Sequence, residues 1–304
     1  MRILIISTFI FIAVIGCSSP EEKNYEEYEG IWKRIGTIKF ENQVAVDTFL
    51  FPKDKYRFRR KEVDGARYKI FGDGHSIWFV SRKSIDSLGN ILEDYRDSYA
   101  KTSYEIRNDS LFEKFNFWAD PFNNAPNLPI LLKNGYKAKL KIDGDKYVQY
   151  SLREDGKVSY GQYYERVDTY NVNPTEFTGA WERVSTVPIR NSEYMDTVPY
   201  IAKNESTVGS YLITADNKRI WCFNFENLNE EGIDTNPGSA LLSSYSLDDG
   251  KISDSLIYGT SSARSNYKRF NNLRVRDYSL NDGLFSLEIR NNDGNGQVAI
   301  FKKQ

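Results

Sequence analysis

Residues 136–142 read Tyr-Lys-Ala-Lys-Leu-Lys-Ile, which sets Tyr136, Ala138, Leu140 and Ile142 on one face and Lys137, Lys139 and Lys141 on the other. A strict two-residue period is that of a strand with one face in a core and one in water. Three lysines in a row also discourage edge pairing with another chain. The same period returns at Phe285, Leu287 and Ile289, with Ser286, Glu288 and Arg290 opposite. Asp-Gly pairs at 64–65, 73–74, 143–144, 155–156, 249–250, 282–283 and 293–294 punctuate these short runs. Two-residue hairpin turns need positive φ, which Asp-Gly supplies. No long stretch has clean helical spacing. One short turn or helix is expected within 82–96, around Asp86-Ser-Leu-Gly-Asn-Ile-Leu. The pattern predicts an all-β chain built from tight hairpins.

The pattern also repeats. Gly30-Ile-Trp32-Lys-Arg returns as Gly179-Ala-Trp181-Glu-Arg, and Ile77-Trp78-Phe79-Val80 as Ile220-Trp221-Cys222-Phe223. Ser103-Tyr104-Glu-Ile-Arg-Asn-Asp109 parallels Ser244-Tyr245-Ser-Leu-Asp-Asp249. Tyr150–Gly156 parallels Leu287–Gly294, and Gly161-Gln162 parallels Gly296-Gln297. Five matches in one order, with a spacing that shortens steadily, are what a duplicated domain with loop deletions gives. A polar stretch with Pro174 separates the copies. The expected organisation is residues 1–16, then 17–29, a first domain at 30–167, a linker at 168–178 and a second domain at 179–303.

Eight to ten short strands per copy suit an up-and-down β-barrel, with two β-sandwiches as the alternative. The opening Gly30-x-Trp32 and Gly179-x-Trp181 resemble the start of the lipocalin fold. That resemblance implies a first strand whose Trp closes one end of a barrel. It also implies a basic residue from the last strand over the Trp: Arg166 in the first copy, Lys302 or Lys303 in the second. The later motifs of classical lipocalins are absent, so lipocalin-like domains of secreted bacterial lipoproteins are the better comparison. Gly30, Trp32, Gly179 and Trp181 are accordingly expected to be structural. The fold class expected is two tandem lipocalin-like barrels.

The N-terminus departs from this pattern. After Arg2, residues 3–15 are apolar apart from Ser7 and Thr8, and Ala13-Val-Ile-Gly16-Cys17 follows the run. Thirteen residues fit the apolar segment of a secretory signal and fall short of the about 20 that cross a bilayer. Small-then-Cys at this place resembles the lipobox of bacterial lipoproteins. The resemblance implies a signal peptide over 1–16, acylation of Cys17 and an outer-membrane, lipid-anchored address in the cell envelope. Residues 18–29 carry five Glu and no aliphatic side chain, the composition of a flexible tether. An acidic cluster just past the acylated Cys also resembles a surface-export tag of some lipoproteins.

Charge and composition narrow the function. The chain has 41 Lys+Arg, of which Arg2 alone precedes Cys17, against 42 Asp+Glu. No basic field exists to draw a nucleic-acid backbone. With Cys17 acylated, Cys222 is the one free thiol, so no intramolecular disulfide is expected. It sits in Trp-Cys-Phe-Asn-Phe, a strand pattern with no obvious neighbour to lower its pKa. His75 is the single histidine, and no Gly-x-Ser-x-Gly elbow accompanies it. A conventional zinc site lacks ligands. Asn291-x-Asp293-x-Asn295-Gly296 offers Lys302 where a calcium loop needs Glu, and a hairpin turn explains it. No catalytic residue, metal or cofactor is expected.

Binding remains. Small barrels fill their interiors or hold one small ligand. Candidate ligand contacts are Trp78, Trp118 and Trp221, with Leu128 and Leu131 from the apolar stretch of a long loop at 119–135. A second long loop spans 224–240. The expected partners are the membrane, through Cys17, and either a small apolar or amphipathic ligand or another envelope protein or glycan met by the loops.

Overall fold

The structure, a computed structural model of the chain, describes residues 25–58, 61–119, 133–153, 155–169, 174–200, 209–224, 238–291 and 293–304. A short 3-10 turn at Tyr25–Glu27 leads into the first sheet. Its strands are β1 (Gly30–Glu41), β2 (Val44–Leu50), β3 (Lys55–Phe58), β4 (Lys61–Gly72), β5 (His75–Ile85), β6 (Ile91–Arg107), β7 (Ser110–Ala119), β8 (Tyr136–Asp143), β9 (Lys146–Leu152) and β10 (Val158–Thr169). The second sheet comprises β11 (Gly179–Arg190), β12 (Glu193–Tyr194), β13 (Val198–Pro199), β14 (Gly209–Thr214), β15 (Lys218–Asn224) and β16 (Ser239–Asp248), then β17 (Lys251–Gly259), β18 (Leu273–Asn281), β19 (Leu284–Arg290) and β20 (Gly296–Lys303). A helix, α1 (Ser261–Lys268), interrupts it between β17 and β18.

Each sheet closes on itself. β1 pairs antiparallel with both β4 and β10, and β11 with both β14 and β20. Eight strands ring each barrel in up-and-down order, while β2 and β3, or β12 and β13, extend from its side. Closure removes the two-sandwich alternative, because no second sheet is left to pack against the first. All five sequence matches fall on equivalent strands of the two rings.

The turns refine the reading of Asp-Gly pairs. Asp73-Gly74, Asp249-Gly250 and Asp282-Gly283 are two-residue turns with positive φ at both positions. Asn42-Gln43, Asn108-Asp109 and Asn191-Ser192 do the same work without glycine, because Asn and Asp tolerate this conformation. Asp64-Gly65 is no turn but lies within β4. A Cβ on Gly65 would stand 2.6 Å from that of Arg82, so glycine there permits a close strand crossing. Residues 82–96 form no helix. β5 and β6 run through most of them, and a turn at 86–90 is closed by the Asp86 carboxylate accepting from the Asn90 N–H at 2.7 Å.

The three largest hydrophobic clusters among the described residues share out the two barrels. One fills the end of the first barrel around Trp32, Phe71, Tyr147 and Tyr164. A second fills the other barrel around Trp181, Leu212, Trp221, Phe285 and Phe301. The third lies between the barrels: Tyr68, Ile70, Ile77, Phe79, Tyr99 and Phe117 meet Tyr211, Ile213, Ile220, Cys222, Ala240 and Leu242. These strands are therefore buried on both faces, which explains why all six residues of β14 are buried. The two surfaces are equivalent parts of the repeat, so the barrels pack as the halves of a twofold dimer do. At one end of the seam the Asp73 carboxylate accepts from the Ala180 N–H at 3.3 Å. At the other, Tyr258 donates its hydroxyl to the Ser81 carbonyl at 3.0 Å. The barrels thus stand side by side with their Trp ends together.

Candidate functional site

The Trp end of each barrel is plugged the same way. Trp32 Nε1 donates to the Tyr28 carbonyl at 2.8 Å, and Trp181 Nε1 to the Phe177 carbonyl at 2.9 Å. The Arg166 guanidinium lies 4.0 Å from the centre of the Trp32 ring and donates to the carbonyls of Glu29 and Glu27. Lys303 Nζ lies 5.6 Å from the Trp181 ring centre. Gly179 has φ 144°, and a Cβ there would meet the Lys303 side chain at 2.6 Å. Both copies have a Gly-x-Trp first strand, a basic residue over the Trp and eight up-and-down strands. The fold is lipocalin-like.

No protein-family model matches the chain, and no curated protein matches it. Among solved structures it is similar to a lipocalin-like protein from Bacteroides uniformis ATCC 8492, at 14% identity over 43% of this chain and 100% of that one, with a TM-score of 0.28. It is similar to an uncharacterized protein from Bacteroides eggerthii DSM 20697, at 15% identity over 42% and 99%, with a TM-score of 0.25. It is also similar to the isotype 1 transferrin binding protein B of serogroup B Neisseria meningitidis, at 8% identity over 90% and 76%, with a TM-score of 0.22.

Buried charged and aromatic side chains project into the first barrel. Glu113 on β7 is buried and pairs with Lys69 Nζ at 2.9 Å, and it accepts from Ser76 Oγ at 2.9 Å and Thr102 Oγ1 at 3.0 Å. Burial alone would raise the Glu113 pKa, but Lys69 and these hydroxyls hold it below the ordinary value. Burial pushes the Lys69 pKa down to about 8, against the pull of Glu113. Arg34 spends its donors on Tyr56 Oη at 2.6 Å, Thr37 Oγ1 at 2.8 Å and the Gly36 carbonyl. Arg67 stacks 4.7 Å from the Trp78 ring centre, and Trp78 meets Trp118 edge-on at 5.3 Å.

In the second barrel a cavity of about 170 Å³ opens away from Trp181. Trp221, Phe223, Leu241 and Ile289 form its apolar wall, and Ala263 and Tyr267 of α1 cover it. Arg183, Arg274 and Arg276 supply its polar wall. The helix is positioned by burying Ala263 and Tyr267, one turn apart on one face. Asp254 on β17, the counterpart of Glu113, sits beneath. It accepts from Tyr267 Oη and Arg276, and Arg219 Nη2 lies 2.8 Å away. The buried carboxylate is thus repeated with different partners, since Leu212 stands where the first copy has Lys69 and Arg219 where it has Ser76. Arg34 and Arg183 both bond a Thr three residues on, but Arg183 also donates to Gln297 Oε1 at 2.9 Å.

Of the sequence candidates, Trp221 lines this cavity, while Trp78 and Trp118 pack on each other inside the first barrel. A register shift in β7 turns Trp118 to the lumen and leaves Phe117 and Ala119 at the seam between barrels. Cys17, Leu128 and Leu131 lie outside the described residues, as do 120–132 and 225–237 of the two long loops. Gly30, Trp32, Gly179 and Trp181 sit at the plugged ends. Sequence reasoning missed Arg183, Arg219, Asp254, Arg274 and Arg276. One signal was available in β18. Tyr278 and Leu280 are partly buried, and two-residue steps back from them reach Arg276 and Arg274, with Val275 exposed between.

Two groups with chemical potential are disarmed. Burial between the barrels raises the Cys222 thiol far above its ordinary pKa. Burial, with Lys101 nearby, lowers His75 to about 4 against the pull of Asp73. Asp293 serves the β19–β20 turn, where its carboxylate accepts from the Asn295 N–H at 2.9 Å. Among the described residues no group of His, Cys, Asp and Glu is arranged to hold a metal ion.

Proposed function

We propose that this chain is a non-enzymatic, lipid-anchored cell-envelope protein that carries one small apolar or amphipathic ligand in its second barrel. The observation that carries this reading is the difference between two copies of one design. Glu113, Lys69, Arg67 and the Trp78–Trp118 pair project bulky and charged groups into the first lumen, whereas the described residues of the second enclose a cavity of about 170 Å³ walled by Trp221, Phe223 and Leu241. Enclosed, mostly apolar space with a few convergent polar groups is the general form of a small-molecule site. The state of Cys222 and His75 supports a role without covalent or acid–base chemistry. The address rests on residues 1–17, whose apolar run and Cys17 supply a signal and an acylation point. An acylated Cys with more than one chain anchors stably.

Native mass spectrometry of the chain from Ser18 onward, with organic extraction of what co-purifies, tests the carrier role. A stoichiometric small molecule is expected. An empty protein whose Trp fluorescence ignores a panel of lipids and hydrophobic dyes would count against it. Cys17→Ser tests the anchor: the protein should move from the membrane to the soluble fraction, and unchanged fractionation would remove the lipid from the account.

A second reading is favoured by one surface observation. Ile257, Phe270, Leu273 and Val275, on and beside β17 and β18, are all more than 40% exposed. Apolar groups gathered in this way mark interaction surfaces, and on this reading the barrel is a scaffold that meets another envelope protein. Pull-down from envelope extracts by the native chain, lost on Val275→Asp, would support it.

A further inference from the structure

Four guanidinium groups, Arg183, Arg219, Arg274 and Arg276, gather around the second lumen, and Asp254 is the one buried carboxylate among the described residues of that barrel. Asp254 is already saturated by Arg219, Arg276 and Tyr267. It can balance one positive charge. The remainder is uncompensated in a place where water is scarce, and burying unpaired charge is costly. The strain shows in the groups themselves. Arg219 is fully buried, and burial together with Arg276 pulls its pKa down to about 10 against the pull of Asp254. Burial, with Arg276 and Arg219, brings Arg274 to about 10 as well. Arg183 is also lowered by burial.

The donors are not used up. Nε and Nη1 of Arg276, Nη1 of Arg219 and Nε of Arg183 are buried and find no partner in the protein among the described residues. The Arg276 side chain is 5% exposed and lines the cavity. In the first barrel Glu113 pairs with Lys69 and Arg34 is taken up by Tyr56, Thr37 and Gly36. Nε of Arg67 also finds no partner among the described residues, but there the guanidinium is stacked on Trp78.

Resting on the carrier reading, we propose that the second lumen is a carboxylate site: it takes a compact organic acid whose carboxylate meets Arg183, Arg274 and Arg276 and whose apolar body lies against Trp221 and Phe223. The guanidinium fork matches a planar carboxylate with two parallel hydrogen bonds. The body is limited by space, since a dry protein cavity of about 150 Å³ holds a benzene ring. An inorganic anion would leave the Trp221, Phe223 and Leu241 wall facing nothing.

The test is isothermal titration of the chain from Ser18 onward with phenylacetate, phenylacetamide and sulfate. The first two differ in charge and hardly in shape. The expected result is one phenylacetate per chain, bound at least about tenfold more tightly than phenylacetamide or sulfate. Arg274→Gln should weaken phenylacetate by about tenfold or more while leaving phenylacetamide unchanged. Arg274 is only half-buried and has no acidic hydrogen-bond partner among the described residues, so this variant should fold; Arg183→Gln is the second variant. Equal binding of acid and amide would overturn the carboxylate assignment and leave the carrier reading standing. Equal binding of sulfate would overturn the apolar half. Binding of neither organic compound overturns the assignment, and the mass spectrometry above then decides the carrier reading separately.

Discussion

Ile220 and Ile257 both point outward from the second barrel, and their fates on truncation should differ sharply. Ile220, on β15, is fully buried because the first barrel covers it. Ile257, on β17, is 43% exposed. Truncating a buried isoleucine to alanine removes apolar contacts and leaves a cavity, at about 2–5 kcal/mol. The seam is close-packed from both sides by Ile77, Phe79, Ile213 and Leu242, so it has little room to collapse, and the expected cost of Ile220→Ala lies in the upper half of that range. A surface substitution such as Ile257→Ala should stay within about 0.5 kcal/mol. Equilibrium urea unfolding followed by Trp fluorescence measures both, since the five Trp are divided between the barrels. The wild-type chain should unfold in one transition, because the largest shared cluster spans both barrels. Equal midpoints for the two variants, or separate wild-type transitions for each barrel, would refute a seam that behaves as core.

Other outcomes follow from the same geometry. Arg166→Ala should cost about 1–3 kcal/mol, because it bares the Trp32 face and frees the carbonyls of Glu27 and Glu29; urea unfolding of this variant at wild-type stability would show the plug to be ornamental. Glu113→Gln should cost about 3–5 kcal/mol by stranding Lys69, and adding Lys69→Met should recover most of that loss; strictly additive effects in the double-mutant cycle would contradict the coupling. His75 stays neutral when folded down to about pH 4, while the unfolded chain protonates near the ordinary histidine value of 6.5. The unfolded state therefore binds the extra proton between these values, and stability falls as pH falls through that window. His75→Gln should flatten the decline between pH 6.5 and 4 in thermal melts, and an unaltered slope would speak against burial as its cause. Cys222 should resist thiol reagents at pH 8 until the chain unfolds, and rapid labelling of the native protein would mean the barrels separate readily.

What was legible in the sequence is the part each strand decides locally. The alternation of Tyr136–Ile142 reports one wet face and one dry face, and β8 carries that pattern. The repeat of Gly-x-Trp placed both plugs. Tyr211-Leu-Ile and Ile77-Trp-Phe-Val, by contrast, are unbroken apolar runs, because the second face of these strands is dried by the other barrel. No local window contains that information. The lumen charges were hidden for a related reason. Arg183, Arg219, Asp254 and Arg276 are scattered over four strands, and only closure of the ring brings them together. The α1 helix was missed because its apolar face is just Ala263 and Tyr267, too little for a helical period to register.

The side-by-side arrangement of the barrels sets a direction. The Tyr25–Glu27 turn sits beside the Trp32 plug, and the second plug stands next to it across the Asp73–Ala180 contact. The cavity opens at the far end of the second barrel, beyond Trp221 and α1. The described N-terminus and the cavity mouth therefore lie at opposite ends of the molecule. Whatever enters the cavity approaches from the side remote from the N-terminal segment, so a surface that holds that segment leaves the mouth unobstructed. The connection at 260–272, which carries α1, joins β17 and β18 at that far end, so the segment that covers the cavity is also the one a ligand meets first.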